Sequence, residues 1–321
     1  MMKIENLAFQ GIGLHATSYI GAIQYLQEKD KLKHIKAVIG SSSGSLFALF
    51  VVLGLCHSDI EDIILTWAEN KSLLDLNILT LPKIVNNFIS SNALFSGKEL
   101  EKQIGIVLKK YTSKSRITFQ ELYDKTGKEF IVCGANLSKS ETTYFSHTTD
   151  PEMYVKHAVR ISMSFPYLYS HVMYKGDVYT DGGTFGTLPL KYWDVHGEII
   201  NKNTLGIMVE REGVQSNRGD LETVDKFSKA LFGGLLDEVS SKLYEYYDKE
   251  QNKWVLDSRV IKIKLKQSVA SNLSSDLNTR DYKSFTCSGY RAVKAYFEPN
   301  VVVSDSQLTF ERTDKCKCMI L

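Results

Sequence analysis

No apolar run in this chain is long enough to cross a bilayer. The longest, Leu46 to Cys56, falls well short of the ~20 residues a spanning helix needs and reads as a buried core helix. The opening residues, MMKIENLAFQG, lack the apolar stretch of a signal peptide. Met2 stands where N-myristoylation requires a glycine. The expectation is a soluble chain that meets membranes only from outside. Neither sign of charge is in excess: 39 Lys and Arg oppose 37 Asp and Glu, a net charge of +2, so no global field favours nucleic acid. The five cysteines (56, 133, 287, 316 and 318) are scattered, without a C-x-x-C pair. They imply neither a zinc site nor a disulfide framework, and a reducing compartment fits them best. There is no acidic cluster for calcium, no repeat and no linker-like stretch, so residues 1–298 read as one domain.

Two strand–loop–helix units open the chain. In the first, Ile4 to Phe9 is strand-like, Gln10-Gly11-Ile12-Gly13-Leu14-His15 is a glycine loop, and Thr17 to Glu28 has helical apolar spacing. Such a unit presents backbone N–H groups to an anion. As a dinucleotide motif it is a near miss: G-I-G-L-H-A ends in Ala16, and no acidic residue closes the next strand. In the second unit, Ile35 to Ile39 leads through Gly40-Ser41-Ser42-Ser43-Gly44 into the apolar helix. That is G-x-S-x-G between a strand and a helix, the context of a nucleophile elbow. The glycines permit a sharp turn and leave Ser42 exposed at a helix N-terminus. A serine-rich turn capping a core helix is the plain alternative. Both loops fall at the carboxyl ends of neighbouring strands, where open parallel sheets bind ligands.

Further along, the pattern predicts helices over Asp59–Glu69, from Ser96-Gly97 to Lys110, and from Thr118. Lys71 to Phe95 reads as helices or a lid-like insertion. Strands are predicted over Glu129–Asn136 and Glu141–Ser146, a short helix over Val155–Met163, and a hairpin around Lys175-Gly176-Asp177. The hairpin runs into Asp181-Gly182-Gly183, which taken alone is either a surface turn or an acid displayed at a strand end. After it come a strand at Thr204–Val209, a long amphipathic helix at Val224–Tyr247, a strand at Arg259–Leu265 and a final helix at Arg280–Phe297.

Taken in order, these segments resemble the patatin-like phospholipases. The elbow G-S-S-S-G, the loop F-Q-G-I-G-L-H-A, L-F-S-G-K-E-L (94–100), R-I-S-M-S-F-P (160–166), T-D-G-G (180–183) and G-Y-R-A-V-K-A-Y-F (289–297) are each similar to that family's motifs. The resemblance implies a three-layer α/β/α fold with a mainly parallel central sheet. It also implies a Ser–Asp dyad, with Ser42 as nucleophile and Asp181 as base, flanked by Gly40, Gly44, Gly182 and Gly183. Backbone N–H groups of Gly11, Ile12, Gly13 and Leu14 would form the oxyanion hole. The activity implied is hydrolysis of fatty-acyl esters of membrane phospholipids through an acyl-enzyme, without cofactor or metal. Two departures stand out. The family's oxyanion loop is usually G-G-G-x-[RK]-G, whereas Ile12 here is β-branched and resists positive φ. His15 replaces an always-charged side chain, as either a site group or a surface polar residue. Gly186-Thr187 stands where asparagines are usual.

Two other functions compete. A Ser–Asp–His triad enzyme would use His196, the one histidine after Asp181, but its fold places several strands before the elbow and only about two fit here. A non-catalytic lipid-binding protein of the same fold is motivated by Ile12 and His15. The last residues, Cys318-Met319-Ile320-Leu321, match C-a-a-X with the terminal Leu that favours geranylgeranylation. Residues 299–321 then read as a polar tail lipidated on Cys318, with Cys316 open to palmitoylation and Lys315 and Lys317 adding a small basic contribution. A chance ending and metal ligation by Cys316 and Cys318 are the alternatives. Prenylation requires a prenyl transferase, which sets the expected location as eukaryotic cytosol, peripherally attached to membranes. An activating host partner would leave no trace in such patterns.

Overall fold

The computed structural model describes residues 3–69, 92–194, 200–211, 244–248, 252–265 and 279–299. Its centre is an eight-stranded mixed sheet. Five strands are parallel, in the order β12 (Val260–Leu265), β9 (Thr204–Arg211), β1 (Asn6–Phe9), β2 (Ala37–Ser41) and β4 (Glu129–Asn136). β5 (Glu141–Phe145), β7 (Val172–Tyr174) and β8 (Asp177–Asp181) are antiparallel additions at the β4 end. β1, β2 and β4 are almost entirely buried, as expected of parallel strands covered on both faces. Leu7, Phe9, Val38 and Val132 point into the larger core, beneath helices α1 (Ser18–Glu28), α2 (Ser43–Val52) and the terminal α7 (Thr279–Phe297). Ala8, Ile39, Ile131 and Cys133 point the other way, onto Leu188, Leu190 and Tyr244.

Between these lie α3 (His57–Glu69), α4 (Lys98–Thr112), α5 (Phe119–Thr126) and α6 (Val155–Ser162). α5 starts on a capping box between Thr118 and Glu121. The Lys175–Gly176 turn joining β7 to β8 has positive φ at both residues (49° and 87°), as a tight hairpin demands.

The sequence pattern misreads two places. Ala93–Phe95, placed above in a helical or lid-like insertion, is a short strand (β3) pairing with Tyr167–Tyr169 (β6). Three residues are too few to show a period, and the partner is remote in sequence. Glu245–Asp248, placed at the end of a long helix, is a strand (β10) in a hairpin with Lys253–Leu256 (β11). Its consecutive tyrosines suit a strand, and the helical spacing before it carried the assignment too far. The rest of that helix, most of Lys71 to Phe95, His196 and the Cys316–Cys318 tail lie outside the described residues.

The register of β4 explains how distant parts of the chain meet. Gly134, Ala135 and Asn136 each pair with β5 and also with β8, so those strands lie on opposite edges of β4. Cys133 pairs with Ser41 and with Tyr144, which puts β2 on the edge that β8 continues. β2 therefore ends at Ser41 opposite Cys133, and β8, running the other way, ends at Asp181 opposite Gly134. The two strands meet end to end, one register step apart.

Candidate active site

Ser42 sits between the last residue of β2 and the first of α2, at φ 50° and ψ −130°, a conformation that serine rarely adopts. The neighbouring chain forces it. A Cβ at Gly40 would lie 2.3 Å from the Gly44 carbonyl oxygen, and one at Gly44 would lie 2.4 Å from the Phe9 carbonyl oxygen. The two glycines let strand and helix fold back on each other and onto β1. The Ser42 carbonyl accepts from the Ser45 N–H at 2.9 Å and from its hydroxyl at 2.6 Å, which pins the first helical turn.

The Ser42 hydroxyl donates to Asp181 Oδ2 at 2.6 Å, across 139 positions of sequence. Asp181 Oδ1 accepts the Gly183 N–H at 2.8 Å. The carboxylate is buried, only 3% exposed. Burial raises its pKa to about 7, against the opposing pull of the hydrogen bonds from Ser42 and Gly183. Gly182 lies so close to β4 that a Cβ there would meet the Cys133 carbonyl oxygen at 2.3 Å. Of the glycines noted in the sequence, Gly40, Gly44, Gly182 and Gly183 thus all surround this pair.

The glycine loop lies directly against the serine, since a Cβ on Gly11 would be 2.7 Å from Ser42 Cβ. Its four expected donors are not equivalent. The Gly11 N–H donates to the Thr187 carbonyl at 2.9 Å, and the Ile12 N–H donates to Ser43 Oγ at 3.1 Å. Both are engaged within the protein, which leaves Gly13 and Leu14 as the other two expected donors. These two open a 3-10 turn, Gly13–Thr17, where the first N–H groups have no intrahelical partner. The positive φ that Ile12 resists falls on Gly13 instead, at 59°, while Ile12 stays at −146°. His15 is no surface residue: it is buried, with its ring 5.4 Å from that of Phe285 on α7. A charged side chain is thus replaced by a ring packed into the protein.

Ser162 carries no signal of its own in the sequence. Its hydroxyl, at the end of α6, accepts the Ser42 N–H at 2.8 Å. Nor does the sequence single out Ser164, whose carbonyl accepts the Asp181 N–H at 3.1 Å and the Thr180 hydroxyl at 2.8 Å. The segment R-I-S-M-S-F-P was visible as a motif, but no spacing ties it to a serine 120 residues earlier. Among the described residues no group of His, Cys, Asp and Glu is arranged to hold a metal ion, and no helix is long and apolar enough to cross a membrane.

Residues 7–193, more than half of the chain, match the family model described as patatin-like phospholipase. The uncharacterized protein R571 of Acanthamoeba polyphaga mimivirus is 26% identical over 304 residues, spanning 91% of this chain and 93% of that protein. A probable lipid hydrolase, 463L of Invertebrate iridescent virus 6, is 26% identical over 186 residues, which span 58% of this chain and 62% of the relative. Among solved structures, VipD from Legionella pneumophila shares the fold, with a TM-score of 0.58 at 19% identity, over 92% of this chain and 67% of that one. The family match covers the glycine loop, the elbow and the D-G-G segment together, and the chain belongs to the patatin-like phospholipase family.

Proposed function

We propose that this protein is a phospholipase A-type acyl hydrolase acting through Ser42 and Asp181. The observation that carries the reading is the 2.6 Å hydrogen bond from Ser42 Oγ to a buried carboxylate whose pKa is raised to about 7. A serine hydroxyl is a weak nucleophile until a base takes its proton, and a base works best with a pKa near the working pH. Asp181 accepts the proton as Ser42 Oγ bonds to the ester carbonyl carbon. The carbonyl oxygen becomes an oxyanion, held by the N–H groups of Gly13 and Leu14. Collapse breaks the ester bond, and Asp181 returns the proton to the departing alcohol oxygen. Water, deprotonated by the same carboxylate, then attacks the acyl-enzyme, releasing the fatty acid and restoring the Ser42 hydroxyl. Family membership and the relative named as a probable lipid hydrolase support this chemistry.

Ser42→Ala and Asp181→Asn are each expected to abolish fatty-acid release from phospholipid vesicles while cooperative melting is retained. Undiminished release by either variant sinks the dyad. The engaged N–H groups of Gly11 and Ile12 favour one second reading, a lipid-binding protein without turnover. A fluorophosphonate probe separates the two: Ser42 is labelled in a hydrolase and unlabelled in a binding protein.

A further inference from the structure

The Ser42–Asp181 pair is held by a third element that touches both partners. α6 ends at Ser162, and the chain then runs through Met163 and Ser164 toward Pro166. Within these three residues one hydroxyl accepts the Ser42 N–H, at 2.8 Å, and one carbonyl accepts the Asp181 N–H, at 3.1 Å. Ser162 and Ser164 are both fully buried, so neither bond is exchanged for water. The segment is anchored in turn. The buried Arg160 guanidinium binds the Ser164 hydroxyl, and its Nη2 donates to the carbonyls of Ser96 at 2.8 Å and Ser170 at 2.9 Å. The Thr180 hydroxyl ties β8 to the same Ser164 carbonyl.

We infer that Ser162 is a positioning residue for the nucleophile and that the end of α6 sets the separation of Ser42 from Asp181. This rests on the dyad reading above. Ser42 occupies a strained backbone conformation, and strain persists only where the surroundings over-determine it. The peptide N–H of Ser42 is the handle on that conformation. While Ser162 Oγ accepts it, the Ser41–Ser42 peptide plane cannot rotate, and Cβ stays aimed at Asp181. The same bond takes the Ser42 N–H out of the set of oxyanion donors, leaving that task to Gly13 and Leu14. Ser162 Oγ is engaged by the Ser42 N–H, so its effect is on the alignment of the nucleophile.

The test is ester hydrolysis, fluorophosphonate labelling and thermal melting on the full chain, with Ser162→Ala and Ser162→Thr. Displacing a reacting group by about 1 Å costs roughly 100-fold. Ser162→Ala is expected to lower kcat by ~10- to 100-fold and slow labelling in parallel, with KM unchanged. Asp181 keeps the hydrogen bond from the Gly183 N–H in that variant. Ser162→Thr retains the acceptor and is expected to recover most of kcat. Wild-type kcat in Ser162→Ala overturns the inference, and so does a threonine variant as slow as the alanine one. Loss of cooperative melting in Ser162→Ala also overturns it, by making Ser162 a structural prop. Ser42→Ala serves as the separate control. If that variant stays fully active, the dyad reading has failed. The clamp is then read on its own by hydrogen exchange at the Ser42 amide, expected to accelerate at least 10-fold in Ser162→Ala; an unchanged rate overturns the clamp as well.

Discussion

Asp181 is where stability and chemistry pull against each other. Its carboxyl holds a proton up to about pH 7 in the folded protein, whereas an unfolded aspartate loses it near pH ~4. Between those values the unfolded state is ionised and the folded state is not, so stability falls as pH rises through the window. Above pH ~7 the penalty is complete, on the order of a few kcal/mol. Activity runs the opposite way, because only the ionised form is a base: kcat/KM is expected to rise roughly tenfold per pH unit up to about 7 and then level off. Asp181→Asn has no charge to desolvate. It is expected to melt above the wild type at pH 8, with the gap closing toward pH 4, while losing activity throughout. Melting curves at three pH values check this; a gap that stays constant with pH would show that the carboxyl pKa is not raised in the folded protein. Ser42 was legible as a candidate in the sequence because its glycine neighbours mark a sharp turn, and Asp181 because its D-G-G segment resembles a family motif. Ser162 was not. A hydroxyl in the last turn of a helix has no pattern of its own, and what gives it meaning is a partner brought close only by the fold.

Among the elements, the least forgiving contact is between α1 and the terminal α7. A Cβ at Gly21 would lie 1.9 Å from the Thr286 carbonyl oxygen, and one at Gly289 would lie 1.8 Å from the Ser18 carbonyl oxygen. The helices touch backbone to backbone at both glycines, and this proximity seats Phe285 against His15 in the turn that follows the glycine loop. Because the obstructing atoms are backbone, an added methyl must push the helices apart. Gly289→Ala is expected to destabilise by ~1–3 kcal/mol or more, seen as a lower denaturation midpoint at constant slope. An unchanged midpoint would mean that the two helices are not in contact at that depth. In the sequence both helices were visible from their apolar spacing, and Gly21 was visible as a residue that permits close packing. Its partner Gly289 could not be assigned, since the two positions are 289 − 21 = 268 residues apart.

For the whole molecule, the family match ends at residue 193, but the fold does not. β9 pairs with β1 through Asn6–Thr204 to Phe9–Ile207, β12 pairs with β9, and α7 packs on α1. The class of fold was readable because two strand–loop–helix units open the chain and the ordered motifs resemble one family. The order of strands was not: it places β9 and β12, the last of the sheet in sequence, beside β1, the first. Remove everything after residue 194 and β1 becomes an edge strand. Its Leu7 and Phe9 lose Ile207 and Val209 from their core, and Tyr19, Ile20 and Tyr25 lose the cover of α7. Burying each such side chain is worth ~1.5–3 kcal/mol, and a domain's net stability is only ~5–15 kcal/mol, so a handful of these losses exceeds it. A fragment ending at residue 194, although it carries Ser42, Asp181 and the glycine loop, is therefore expected to show no cooperative melting and no fluorophosphonate labelling of Ser42. A fragment that melts cooperatively at a temperature near that of the full chain would show that the sheet is held from the β4 side alone, and that β9, β12 and α7 are additions rather than half of the core.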